Sequence, residues 1–161
     1  MRTLGISLAL TLAAAVAMAQ DPAMKMKTFA SSSDVAAMIA KAKAERKPDQ
    51  AVFAQSIVQL APYNASLEYR GTVGPAAVHE AEAEIFYVVD GSATMVTGGK
   101  LVNEKRNNAA NLGGTGIEGG SSQMISKGDF IIVPEKVPHW FSSINGALVL
   151  MSLHVPHPVG H

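Results

Sequence analysis

Histidine and carboxylate side chains are the groups in this 161-residue sequence with the clearest capacity for chemistry. His79 adjoins an acidic run over residues 80–84, and His139 follows Val137-Pro138, a stiff pair that fixes where it starts a strand. There are no cysteines, so any metal must be held by imidazole, carboxylate or water. Such ligands suit divalent iron, manganese, nickel, copper or zinc, and the sequence does not choose among them.

Composition narrows the function classes. The chain carries 13 basic and 13 acidic residues, and this neutrality argues against a nucleic-acid partner, which would require a basic face. Its length fits one domain, and 48% hydrophobic residues are enough to bury a core. The sequence contains no G-x-S-x-G elbow, no P-loop and no Rossmann glycine pattern that leads into a helix.

The N-terminus has the pattern of a secretory signal peptide over residues 1–19. Arg2 gives a positive start, residues 4–16 are apolar, and Ala17-Met18-Ala19 matches the small-x-small cleavage pattern. We expect a mature protein that is periplasmic or secreted and free of the membrane after cleavage. The alternative is an uncleaved N-terminal anchor.

The elements that must position the histidines are mostly strands. Residues 20–50 are predicted to hold one helix, with Ser32 or Ser33 as N-cap, an apolar face at Val35, Met38, Ile39 and Ala42, and a stop at residues 47–49. Residues 51–155 read as short strands separated by turn residues, typical of an all-β sandwich or barrel, and residues 156–161 read as a tail.

Two dipeptides and one long segment shape the predicted connections. Asp90-Gly91 and Asn145-Gly146 are typical of hairpin turns, and we expect a turn at each. Residues 100–123 are polar, rich in asparagine and glycine and without a period. This pattern predicts an exposed loop, either a plain surface excursion or a lid over a pocket.

Residues 71–91 resemble the first motif of the cupin family, G(X)5HXH(X)3-4E(X)6G. The positions that fit its spacing are Gly71, His79, Glu84 and Gly91. The first histidine of the motif is absent, and Ala77 stands in its place.

Residues 128–143 resemble the second cupin motif, G(X)5PXG(X)2H(X)3N. Gly128, Pro134 and His139 are in register with it. Lys136 replaces the usual glycine and Ser143 the usual asparagine.

The resemblance implies a cupin double-stranded β-helix, that is, a jelly-roll barrel over residues 51–155 preceded by the short helix. It implies a metal held by His79, Glu84 and His139, with open positions for substrate, and a homodimer, since cupins are commonly dimeric. The chemistry that it suggests is that of a metal-dependent dioxygenase, decarboxylase, isomerase or lyase acting on a small oxygenated molecule. The alternative is a module that binds a small ligand without catalysis.

Strand alternation supplies candidates for a substrate pocket. Phe86, Val88 and Phe141 are expected to form an apolar wall beside the ligands. Tyr69 and Arg70 are adjacent on a strand, so one of them should point inward and orient a substrate.

Each candidate ligand also has a plainer interpretation. His79 and His139 are then histidines at the rim or mouth of a barrel, and Glu84 is a buried base or an arginine partner. Glu80 and Glu82 are then solvated, or one of them substitutes as a ligand. Among the C-terminal histidines, His154 either belongs to a loose tail or replaces the absent first histidine.

Overall fold

The computed structural model describes residues 26–157; the predicted signal peptide and the end of the tail, residues 158–161, lie outside this range. The described chain forms a helix and a series of strands in this order: α1 (Ser32–Glu45), β1 (Val52–Leu60), β2 (Tyr63–Arg70), β3 (Ala76–His79), β4 (Glu82–Thr97), β5 (Lys100–Val102), β6 (Lys105–Arg106), β7 (Asn111–Gly114), β8 (Gly116–Glu118), β9 (Ser121–Ser126), β10 (Phe130–Val133) and β11 (His139–Pro156). Within residues 26–157, no helix is both long and apolar enough to cross a bilayer.

Helix α1 forms where the sequence predicts it, but its N-cap lies one residue earlier. Ser31 accepts a hydrogen bond from the Asp34 backbone N–H at 3.1 Å, and the Asp34 side chain accepts one in return from the Ser31 N–H. This reciprocal pair satisfies two otherwise unpaired donors at the helix start, which is why Ser31 caps the helix in place of Ser32 or Ser33.

The strands pair antiparallel on two faces. One face runs β1-β2-β11-β4-β10, using the first half of β4 and the second half of β11. The other runs β9-β4-β11-β3-β7-β6, using the opposite halves of the same two long strands. The predicted all-β fold with a short N-terminal helix is therefore confirmed.

Both predicted hairpin turns are wrong. β4 runs without a break through Asp90-Gly91, and β11 runs through Asn145-Gly146. Each site is a bend at which a long strand passes from one face to the other, with register shifts between Asn145 and Leu150. Hairpin turns and such bends both use a backbone with positive φ, which glycine adopts readily. Gly91 has φ +85° and Gly146 has φ +75°.

The predicted loop over residues 100–123 is also replaced by strands. β5 pairs with β8, and β7 pairs with both β3 and β6. Short pieces of two to four residues carry too little periodicity to be recognised in the sequence. This segment covers the outer edge of β3, the strand that ends at His79.

Two apolar clusters lie on opposite faces of the sheet. The cluster inside the barrel includes Phe86, Val88, Phe141, Leu148 and Leu150. The second cluster lies under α1, where the predicted apolar face of the helix packs on buried residues of the strands: Ile57, Leu67 and Val149. Because side chains alternate along a strand, the faces of β2, β4 and β11 are thereby assigned as inner or outer.

Replacement of Gly91 tests the bend in β4. A Cβ at this position would collide with the carbonyl oxygen of Ala147, whereas a Cβ at Gly146 would meet nothing within 4 Å. Gly146→Ala should cost about 1–2 kcal/mol for the left-handed backbone alone. Gly91→Ala should cost about 1–3 kcal/mol more for the collision. Urea unfolding of both variants measures the difference, and equal losses would contradict this account of the bend.

Candidate metal centre

Glu84 lies at the middle of a cluster of histidines inside the barrel. It is on the inner face of β4, opposite His154 of β11, and its side chain is 4% exposed. Its Oε2 lies 3.0 Å from Nε2 of His79 and 3.0 Å from Nε2 of His139. The two predicted histidine ligands therefore both lie against the carboxylate of the third predicted ligand, Glu84.

The His79 ring is oriented by Asn111, a residue of the segment that the sequence predicts as a loop. His79 ends β3 and stands opposite Asn111 of β7. Its Nδ1 donates a hydrogen bond to Oδ1 of Asn111 at 2.7 Å. The amide oxygen fixes the orientation of the ring and leaves Nε2 to face Glu84.

His139 is oriented by its own chain. It is the first residue of β11, it is buried, and it stands opposite Ala77 of β3. Its Nδ1 donates to the carbonyl oxygen of Val137 at 3.3 Å, and Pro138 between them restricts the backbone. The rings of His79 and His139 are 5.2 Å apart, tilted by 36°.

The tautomers that these contacts impose suit a cation. An acceptor on Nδ1 places the proton of a neutral imidazole there, so Nε2 carries a lone pair. In His79 and His139 this lone pair points at the Glu84 carboxylate, an unfavourable arrangement unless a proton or a cation lies between them. Two imidazole nitrogens and a carboxylate are ligands that divalent transition metals accept, so the residues fit such an ion.

The electrostatics keep Glu84 charged. Burial alone would raise its pKa, but the nearby imidazoles of His139 and His79, which stabilise the ionised carboxylate once they are protonated, and a hydrogen bond from Ser152 hold the pKa well below its usual range. Burial alone would lower the pKa of His79, and the interactions with Glu84 and Asn111 outweigh it and raise the pKa. The site thus favours an ionised carboxylate beside positive charge.

Three further residues complete the surroundings of Glu84. The buried hydroxyl of Ser152 donates to its Oε1 at 2.6 Å, and Nε2 of His154 lies 3.5 Å from the same oxygen. His79, Glu84 and His154 each offer a ligand atom, and these atoms all lie within 4.8 Å of one another. Oε1 of Glu82 lies 2.8 Å from Nδ1 of His154.

The predicted apolar wall is part of the packed interior. Phe86 lies nearest the site, with its ring centroid 6.0 Å from that of His139. Phe141 stacks edge-on against Phe86 at 5.5 Å, and Val88 is fully buried in the same cluster. Of the three, Phe86 is the residue in ring contact with a candidate ligand.

Arg70 and Tyr69 diverge, as alternation requires. Arg70 turns inward over the Phe141 ring at 4.7 Å, and Glu68 accepts hydrogen bonds from it, with Nη2 2.6 Å from Oε2. Tyr69 packs on the outer cluster beneath α1. The prediction of Tyr69 as a pocket residue is therefore corrected, because α1 covers its face of β2.

Sequence reasoning missed two residues of the site. Ser152 lies two residues before His154 on the same face of β11, and a polar residue in an otherwise apolar strand was its signal. Asn111 had no signal, since its role depends on the pairing of β7 with β3. Glu80 is half-buried and pairs with Arg106, with Oε2 2.6 Å from Nη1, outside the cluster around Glu84.

Removal of the Asn111 amide tests how His79 is held. The hydrogen bond from Nδ1 to Asn111 favours the protonated imidazole, so Asn111→Ala should lower the pKa of His79. NMR titration of the His79 ring protons in chelator-treated protein measures the shift. Asn145→Ala, which removes an exposed amide from the far bend, is the control. An unchanged His79 pKa in Asn111→Ala would contradict the assignment of Asn111 as the hydrogen-bond acceptor of Nδ1 in His79.

Comparison with solved structures finds the same fold at low sequence identity. KdgF from Halomonas sp. superposes with a TM-score of 0.50 at 16% identity, covering 70% of this chain and 84% of that one. The iron(II) form of HppE superposes with a TM-score of 0.50 at 18% identity, covering 65% of this chain but only 51% of HppE. These likenesses concern the fold, which is the predicted double-stranded β-helix.

Sequence comparisons give the family. A search of curated proteins finds no match. The family model described as Cupin matches residues 50–159, which include both motifs, all of the strands and every residue around Glu84. The chain belongs to the cupin family.

Proposed function

We propose that this protein holds one divalent transition metal at His79, Glu84 and His139 and acts as an enzyme on a small oxygenated organic molecule. The observation that carries the proposal is the convergence of two Nε2 atoms on one buried carboxylate, each at 3.0 Å. Both imidazoles have their Nδ1 held by an acceptor, which leaves the nitrogens that face Glu84 as donors to a metal.

The chain's own residues supply the setting for chemistry. Ser152 fixes one oxygen of Glu84 by a hydrogen bond, and Asn111 and the Val137 carbonyl fix the two rings. When bound, a divalent metal supplies Lewis acidity that polarises an oxygen-bearing substrate or activates water. Iron(II) in HppE supports the inclusion of iron among the candidate metals, with manganese, nickel, copper and zinc.

A small substrate is supported by the form of the site. The side chains of His79 and His154 are 17% and 23% exposed, so the cluster is not fully enclosed by protein. Behind the cluster, Phe86 and Val88 are fully buried and leave little depth for a large molecule. Oxygen atoms of a substrate are the hard ligands expected at an imidazole–carboxylate site.

One observation favours the second candidate, a module that binds a ligand without catalysis. Arg70 is the cation predicted to orient a substrate, yet Glu68 already neutralises it inside the barrel. A substrate carboxylate would have to displace this partner. A protein that binds a small molecule at the metal but turns none over would fit this candidate.

Export and dimerisation remain predictions. The outer face of the edge strand β10 exposes Phe130 and Ile132, 69% and 60% exposed, beside Tyr87 of β4. Such an apolar edge favours pairing with a second copy and supports the homodimer. The neutral charge and the signal peptide pattern continue to support a mature protein without nucleic-acid or membrane partners.

Export is tested by the mass of the mature chain. Expression of the full sequence in a Gram-negative host, followed by mass spectrometry of the periplasmic fraction, should give a chain that begins at Gln20. A chain that keeps residues 1–19 in the membrane fraction would overturn the proposal of cleavage and support an anchor.

Metal content tests the site. Untagged protein is loaded with each candidate metal, desalted and analysed by inductively coupled plasma mass spectrometry. The wild type and the His157→Ala variant should retain about one metal ion per chain, because the His157 side chain is exposed and pairs with Glu135. The His79→Ala/His139→Ala double variant should retain almost none, because two ligands are lost.

Two results would overturn the metal proposal. One is a wild type that retains no metal after loading, and the other is a double variant that retains as much as the wild type. Circular dichroism of the metal-free proteins checks that the double variant is folded. Turnover of small oxygenated acids by the loaded wild type, absent in the double variant, then separates the enzyme from the binding module.

A further inference from the structure

One ligand position of the site lacks a side chain on β3. Ala77 occupies the place of the first histidine of the cupin motif. It faces the same way as His79, two residues further along, and it stands opposite His139. A methyl group there offers no donor atom, so any further protein ligand must come from a different strand.

His154 brings an imidazole to the cluster from the end of β11. The register places it directly opposite Glu84, and side chains at such paired positions are close neighbours. Its Nε2 lies 3.5 Å from Oε1 of Glu84, and its ring lies edge-on to that of His79 with centroids 4.9 Å apart. Its ligand atom lies within 4.8 Å of those of both residues.

Glu82 faces Nδ1 of His154, as Asn111 faces Nδ1 of His79 and the Val137 carbonyl faces Nδ1 of His139. Its Oε1 is 2.8 Å from Nδ1 of His154 and 3.9 Å from Nδ1 of His79. Nδ1 of His154 is buried and makes no hydrogen bond within residues 26–157. The Oε1 atom of Glu82 is nevertheless close enough to accept a hydrogen bond from this nitrogen.

The end of β11 is held in place, so His154 is not part of a loose tail. β11 continues to Pro156, which stands opposite Glu82, and the His157 backbone N–H donates to the Ala81 carbonyl at 2.9 Å. This pairing extends the barrel one residue beyond the predicted boundary at residue 155. It also fixes the imidazole beside the Glu84 carboxylate.

We propose that His154 is a ligand of the metal and supplies the imidazole that Ala77 does not, with Glu82 as its positioning residue. This inference rests on the proposed metal function. In the proposed metal-bound form, the Nδ1 proton of His154 would be donated to the Glu82 carboxylate, 2.8 Å away, which would set the tautomer and raise the basicity of Nε2. Three imidazoles and one carboxylate then surround the ion, from β3, β4 and both ends of β11.

The test is the affinity and the visible spectrum of cobalt(II) in the untagged protein, a probe whose absorption depends on its ligand set. Glu82→Ala should weaken affinity, measured by competition with a chelator, by about 10–100-fold, the usual effect of losing an outer carboxylate partner. Glu82→Gln should recover part of the loss, because its amide oxygen can also accept a hydrogen bond from Nδ1. His154→Ala should weaken affinity more than Glu82→Ala and change the spectrum.

Two variants make the outcome specific to His154. His157→Ala, a histidine three residues away outside the cluster, should leave affinity and spectrum as in the wild type. Ala77→His added to His154→Ala should restore much of the affinity by returning an imidazole to β3. Thermal unfolding of the metal-free variants checks folding, and His154→Gln replaces His154→Ala if the alanine variant does not fold.

The failure of this inference is distinguishable from the failure of the proposed function. If the wild type binds cobalt(II) and the His79→Ala/His139→Ala variant does not, the metal site stands. An unchanged affinity and spectrum in His154→Ala would then overturn the role of His154 alone. A wild type that binds no cobalt(II) would overturn both.

Discussion

A carboxylate removed from water must be matched by positive charge or by hydrogen bonds, and Glu84 imposes this requirement on the whole barrel. Its side chain is 4% exposed, and its neighbours are two histidines at 3.0 Å, a third at 3.5 Å and the hydroxyl of Ser152. These groups come from β3, β4 and β11, strands that are distant in sequence. The packing of the barrel must therefore satisfy one buried charge as well as exclude water from apolar side chains.

The part of the site that the sequence predicts is the part that short motifs contain. His79 and Glu84 lie five residues apart around a tight connection, and His139 starts a strand behind a proline, so local spacing fixes where they point. His154 and Asn111 depend on strand register. The pairing of β11 with β4 shifts near Val149, and a shift of one residue would turn His154 to the outer face.

The same distinction between local pattern and long-range strand pairing explains which features of the fold were wrongly predicted from the sequence. Asp90-Gly91 and Asn145-Gly146 favour a backbone with positive φ, and both a hairpin turn and a bend in a continuous strand use that conformation. Only the long-range pairing of β4 with β11 separates the two cases. Likewise, alternation predicts that Tyr69 and Arg70 point in opposite directions, but the position of α1 decides which one is outside.

The course of β11 has a consequence for how the protein reaches its folded state. His139 and His154 are 15 positions apart, about 50 Å along a straight strand. Yet both approach Glu84, because β11 bends back across the barrel. An ion bound by both residues would link the two ends of the bent strand, and this link could form only once the barrel has closed. Bound metal would then contribute directly to the free energy of unfolding, since it binds the closed state alone.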